Sequence, residues 1–92
     1  MNTMAEKTVT IRNKLGLHAR AASMFVKEAE RYACEVEMEK AGVRVNAKSI
    51  MGILMLAAPF GSTLKIIAKG PNDEECVTAL ARLVEVGFEE EA

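Results

Sequence analysis

At 92 residues the chain can hold one modest core but is too short to divide into two independently folding units, so a single domain is expected over 1–92. Hydrophobic residues make up 50% and charged residues 27%, the balance of an ordinary globule, which excludes a disordered tail and a membrane-embedded chain. Twelve basic residues against thirteen acidic ones leave a net charge of -1, so nothing favours wrapping nucleic acid or an anionic bilayer, and any phosphate binding has to be local.

The stretch Met1 to Lys7 carries Glu6 and has no apolar run behind it, so it does not read as a secretory signal, and the cytoplasm is the expected location. Lys7 to Arg12 alternates, Val9 and Ile11 on one face and Thr8, Thr10 and Arg12 on the other, which predicts a first strand. From Ala19 to Ala33 the residues Ala22, Phe25, Val26, Ala29 and Ala33 recur at helical spacing, with Lys27, Glu28, Glu30 and Arg31 on the opposite face. That predicts an amphipathic helix.

Cys34, Val36 and Met38 alternate with Glu35, Glu37 and Glu39, and Ala41-Gly42 offers a turn into Val43-Arg44-Val45, so a hairpin follows. Ile50 to Leu56, apolar except for Gly52 and stopped by Pro59-Phe60-Gly61, predicts a short helix. Its seven residues cannot span a bilayer. Thr63 to Lys69 alternates again, with Leu64, Ile66 and Ala68 inward, and predicts the fourth strand. Asn72 with Glu75 has the form of a capping box, ahead of Cys76, Val77, Leu80, Ala81 and Val84 at helical spacing up to Gly87.

The order β-α-β-β-α-β-α predicts an α+β, open-faced β-sandwich: a four-stranded antiparallel sheet with three helices on one face and the other face wet. Cys34 and Cys76 are expected as free buried thiols, since a chain without an export signal lives in a reducing compartment. One histidine and two separated cysteines do not make a zinc set, so no metal site is expected.

His18, the only histidine, falls where the first strand meets the first helix. A helix start carries free backbone N–H groups and a partial positive charge, which stabilises a bound anion and leaves one imidazole nitrogen available as a nucleophile at physiological pH. A phosphoryl group on the ring would lie against the amides of Ala19 and Arg20, with the Arg20 guanidinium balancing charge. Spacing alone does not distinguish this from an ordinary surface histidine.

What distinguishes it is a resemblance. Gly16-Leu17-His18-Ala19-Arg20-Ala21-Ala22 resembles the phosphohistidine site of the HPr family of phosphocarriers, and Lys48-Ser49-Ile50-Met51-Gly52 is similar to that family's second signature. The element order is the family's too, so the resemblance covers nearly the whole chain. It implies that His18 accepts a phosphoryl group from an enzyme I charged by phosphoenolpyruvate and passes it to sugar-specific EIIA proteins, with Arg20 as charge partner. The chain would then be a monomeric carrier and not an enzyme, with no cofactor. One departure stands inside the site: the family usually has proline where this chain has Ala21.

Ser49 suits an N-cap by residue type alone. In a subset of the family an ATP-dependent kinase phosphorylates the serine here, so the resemblance implies regulation of Ser49 by an HPr serine kinase/phosphorylase. The short helix has more apolar residues than one buried side uses; it reads as a loosely amphipathic core helix, or by resemblance as a partner-docking patch of Ile50, Met51, Leu54 and Met55. Lys14 and Lys27 are expected near the same end or face as His18, to meet an acidic partner.

Two alternatives accompany this reading. Gly87-Phe88 followed by acids resembles the nitrogen-regulatory (NPr-like) branch, which acts through a regulatory EIIA, whereas Ser49-Ile50-Met51-Gly52 is similar to the serine-regulated sugar branch. From another class, a small acylphosphatase-like hydrolase binds phosphate through an arginine in its first strand–helix loop; here that loop holds a histidine and lacks a matching asparagine. The tail Glu89 to Glu91 is expected to be solubilising.

Overall fold

Period-two alternation carries the sheet and a 3.6-residue stripe carries the helices, as the computed structural model, which describes residues 3–89, shows in detail. The elements are β1 (Met4–Thr10), α1 (Ala19–Ala29), β2 (Glu35–Lys40), β3 (Val43–Asn46), α2 (Ile50–Met55), β4 (Thr63–Lys69) and α3 (Asp73–Glu85), followed by a 3-10 turn at Gly87–Glu89. The sheet order is β1-β4-β2-β3, and each neighbouring pair is antiparallel. The architecture is the expected open-faced β-sandwich. Val9, Val36, Met38, Leu64, Ile66 and Ala68 face the helices and close the core against Phe25, Ile53, Val77 and Leu80.

The differences from expectation have local causes. β1 begins at Met4 instead of Lys7 because its register with β4, Met4 opposite Lys69 and Thr10 opposite Thr63, sets its length. Ile11 then continues the pairing by backbone bonds to Gly61 and Ser62. α1 ends at Ala29, four residues short of the periodic pattern, and Ala33 is exposed in the turn that leads to β2. The capping box at Asn72 does not form: Asn72 is left-handed (φ 60°) and makes no side-chain cap, while the Asp73 carboxylate accepts from the Glu74 amide at 2.8 Å.

The open face is not uniformly wet. Ile67, opposite Glu6 and Glu37 on its neighbours, is 1% exposed at the centre of a field of charge in which Glu37 meets Arg44 and Lys69 at 3.6 and 3.2 Å. At the other end of the chain Phe88 folds back and is fully buried, so Gly87 and Phe88 close the core. Of the acidic tail, Glu89 is exposed and Glu90 and Glu91 lie outside the described residues.

Candidate phosphoryl-acceptor site

The loop from β1 to α1 is fixed before it reaches the histidine. Asn13 is buried and its side-chain amide donates to the Gly16 carbonyl at 2.7 Å, while the Gly16 amide donates back to the Asn13 carbonyl at 3.1 Å. Gly16 is left-handed (φ 66°), and a Cβ there would stand 2.5 Å from the Ala58 carbonyl oxygen and 2.8 Å from the Pro59 Cα. Only glycine fits that approach. Leu17 buries its side chain and donates its amide to the Ala58 carbonyl at 2.9 Å, which ties this loop to the segment leaving α2.

His18 emerges from this clamp half-buried, at the N-cap of α1, with an extended backbone (φ -76°, ψ 177°). Its carbonyl accepts the first intrahelical bond, from Ala22 at 2.9 Å. The amides of Ala19, Arg20 and Ala21 precede that bond and have no intrahelical acceptor, and the imidazole does not cap them. Ala19 and Arg20, the first two residues of the helix, are exposed. Ala21, by contrast, is fully buried, so the position that departs from the family's proline faces the core.

α1 packs on α2, and the C-terminal end of α2 leads directly into Ala58, which holds Leu17. Lys40 secures that end by donating to the carbonyls of Leu56 at 3.3 Å and Ala57 at 3.4 Å. Of the expected docking residues, Met51 and Met55 are 69% and 78% exposed and Ile50 is exposed at the helix start. Leu54 departs from expectation: it is half-buried, because it shares the face of Ile53 that packs on the core. Lys27, in the last turn of α1, and Lys14 are exposed.

Two exposed apolar residues had no part in the expected patch, Leu15 at 71% and Phe60 at 61%. They stand on the two loops joined by the Gly16–Pro59 approach. Large apolar residues on either side of glycine in a turn-rich loop were the available signal.

Ser49 is the N-cap of α2. Its Oγ accepts from the Gly52 amide at 3.1 Å, and its carbonyl accepts from Ile53. Gly52 permits this seating, since a Cβ on it would lie 2.8 Å from the Asn46 carbonyl oxygen. Among the described residues no cluster of three or more His, Cys, Asp and Glu could hold a metal, and no helix is long and apolar enough to cross a membrane.

Comparison with known proteins agrees with this geometry. Residues 5–86 match the family model described as the PTS HPr component phosphorylation site. The HPr-like protein Crh of Halalkalibacterium halodurans is 46% identical over 82 residues, covering 89% of this chain and 98% of its own length. The phosphocarrier protein HPr of Treponema pallidum is 41% identical over 88 residues, covering 96% of this chain and all of its own length (100%). The crystal structure of HPr from Thermoanaerobacter tengcongensis superposes with a TM-score of 0.92 at 44% identity, over 96% of this chain and 99% of that one. A structure of the HPr dimer from the same organism matches with a TM-score of 0.75 at 44% identity, over 94% and 99%.

Proposed function

This chain belongs to the HPr family of phosphocarriers, carriers rather than enzymes, and on that premise we propose that His18 is its phosphoryl acceptor, charged by enzyme I and discharged to sugar-specific EIIA domains. The observation that carries this reading is the placement of His18: a half-exposed imidazole at the first turn of a helix whose leading amides make no intrahelical bonds, held by a loop that cannot shift without breaking the Gly16–Ala58 approach.

The chemistry needs little more. An imidazole nitrogen of His18 attacks phosphorus in line with the donor's leaving atom; the new N–P bond forms as the donor's bond to phosphorus breaks, and the phosphoryl group changes hands. Charge on its equatorial oxygens is met by the amides of Ala19 and Arg20 and by the Arg20 guanidinium. Return transfer uses the same groups, which is why a carrier stabilises the phosphoryl group only moderately. Lys27 supplies positive charge toward the partner, and Ile50, Met51 and Met55, edged by the half-buried Leu54, supply the apolar contact. The chain acts in the cytoplasm as a monomer, both partners using this one surface in turn.

Ser49 is the proposed regulatory position, the substrate of an HPr serine kinase/phosphorylase. A phosphate on its Oγ would place about two negative charges beside Ile50 and Met51 and so oppose apolar docking. The nitrogen-branch alternative rested on the Gly87-Phe88 ending, and burial of Phe88 gives that ending a packing reason of its own. Family membership removes the hydrolase alternative.

Onward transfer tests the proposal. Chain charged with labelled phosphate, freed of donor and mixed with a purified EIIA domain should pass its label on within the mixing time, and the Ser49→Asp variant should do so more slowly. Label released only as inorganic phosphate would refute the carrier role.

A further inference from the structure

The sulfur-bearing side chains of the described residues divide by burial. Cys34 and Cys76 are free buried thiols, Met38 is 0% exposed, and Met24 is half-buried against the core. Met4, at 59%, stands at the start of the edge strand β1. The two most open thioethers, Met51 at 69% and Met55 at 78%, fall on a single helix of six residues. Four positions apart, their side chains share one face of α2 a turn apart, roughly 5–6 Å between Cβ atoms. Ile53, two positions on from Met51 and so on the opposite side, is the only buried residue of that helix.

The contacts that hold α2 lie elsewhere than on these two sulfurs. The Ser49 cap seats one end, Lys40 holds the carbonyls of Leu56 and Ala57 at the other, and Ile53 with the half-buried Leu54 packs the helix on the core. Chemistry at Met51 and Met55 therefore changes the surface and spares the fold. A thioether is apolar and adaptable; its sulfoxide is polar, chiral and a strong hydrogen-bond acceptor. Two sulfoxides beside the exposed Ile50 turn an apolar face into a hydrated one, and a partner that covers it has to strip that water.

We propose that Met51 and Met55 form a paired, reversible oxidation site: peroxide converts both to sulfoxides and weakens the α2 face for phosphotransfer partners, and methionine sulfoxide reductase restores it. A sulfur lone pair attacks one oxygen of hydrogen peroxide. The S–O bond forms as the O–O bond breaks, and the proton on the attacked oxygen passes to the departing hydroxide, which leaves as water. Each sulfur gives up two electrons and one peroxide is reduced. In the return step two reductase thiols close to a disulfide and the sulfoxide oxygen leaves as water. The loss of transfer rests on the reading of α2 as a docking face; the oxidation does not.

The test is graded hydrogen peroxide on the full chain, followed by peptide mapping, urea unfolding and the rate of phosphoryl transfer from charged enzyme I. One oxygen is expected on each of Met51 and Met55, with Met4 also reacting and Met38 spared while the chain is folded. The unfolding curve should not move, and transfer should slow by roughly tenfold or more. The two sulfoxide reductases, one for each epimer, should remove both oxygens with dithiothreitol and return the rate. The double variant Met51→Leu/Met55→Leu keeps Met4, Met24 and both cysteines; whatever its own starting rate, peroxide should leave that rate unchanged. Oxidation of Met51 and Met55 no faster than that of Met38, or a slowing that persists in the double variant, would overturn the proposal. So would an oxidised chain that transfers at the reduced rate: with Met51→Glu and Met55→Glu slowed, the oxidation site alone falls, and with both unimpaired the docking face falls with it. A chain that accepts no phosphoryl group even before peroxide defeats the carrier reading and, with it, this one.

Discussion

Leu17 donates its amide to the carbonyl of Ala58 at 2.9 Å, and through that one bond the loop that presents His18 is held to the helix that presents the apolar patch. The His18 loop and the exposed apolar residues of α2 are thereby parts of one rigid body, since Ala58 follows α2 by only three residues and Lys40 holds the end of that helix.

The clearest consequence concerns Gly16. Gly16→Ala places a Cβ against the Ala58 oxygen in a left-handed backbone, and neither can be relieved without moving the loop. The variant should lose about 3 kcal/mol of stability in urea unfolding. Its phosphoryl acceptance should fall even under conditions where the chain remains folded. A variant as stable and active as the parent would show that the approach does not constrain the site.

Ala21→Pro restores the residue the family usually carries. Proline in the first turn removes an amide that has no intrahelical acceptor, so the fold should change by no more than about 1 kcal/mol. The stiffened first turn should instead alter the transfer rate and the lifetime of the phosphohistidine. Unchanged kinetics and unchanged hydrolysis, followed by intact mass over time, would contradict this.

Met51 and Met55 separate docking from stability. Both are exposed, so Met51→Glu and Met55→Glu should each shift unfolding by less than about 0.5 kcal/mol. Removing an apolar anchor from a partner interface should slow transfer by roughly tenfold or more in stopped mixing with either partner. A variant that is folded, stable and unimpaired would exclude α2 from the docking surface.

On the open face, the hydrogen bond from Arg44 holds the Glu39 carboxyl below its ordinary value of 4.5, with the Arg44 charge adding to it. A carboxylate depressed in the folded state contributes stability above its unfolded value, and this is lost as pH falls through the folded one. The stability difference between the parent chain and Arg44→Met should therefore be present at neutral pH and fade below about 4.5. The pair is exposed and screened, so added salt should shrink the difference at neutral pH as well. A difference that persists in acid would point to packing and not to charge.

Much of the framework was legible because it depends on local periodicity. Val36 and Met38, Leu64 and Ala68, and the Phe25–Val26–Ala29 stripe declare their faces without knowledge of their partners, and Ser49 declares a cap by its chemistry. What was not legible depends on distant pairing or on one backbone angle. The left-handed Asn72 defeats a capping box that its spacing allows, and Ile67 is buried on the charged face because strands lie on both sides of it. Leu15 and Phe60 are neighbours of the site only because Gly16 meets Pro59 across the fold. His18 was legible as a helix start, but its chemistry came from the resemblance of the residues around it and not from spacing.

The most direct measurement is charging by phosphoenolpyruvate and a purified enzyme I, followed by intact mass with and without acid treatment. One acid-labile phosphoryl group per chain is expected on the parent protein and none on His18→Ala. A parent chain that stays unmodified, or a label that survives acid and persists in His18→Ala, would contradict it.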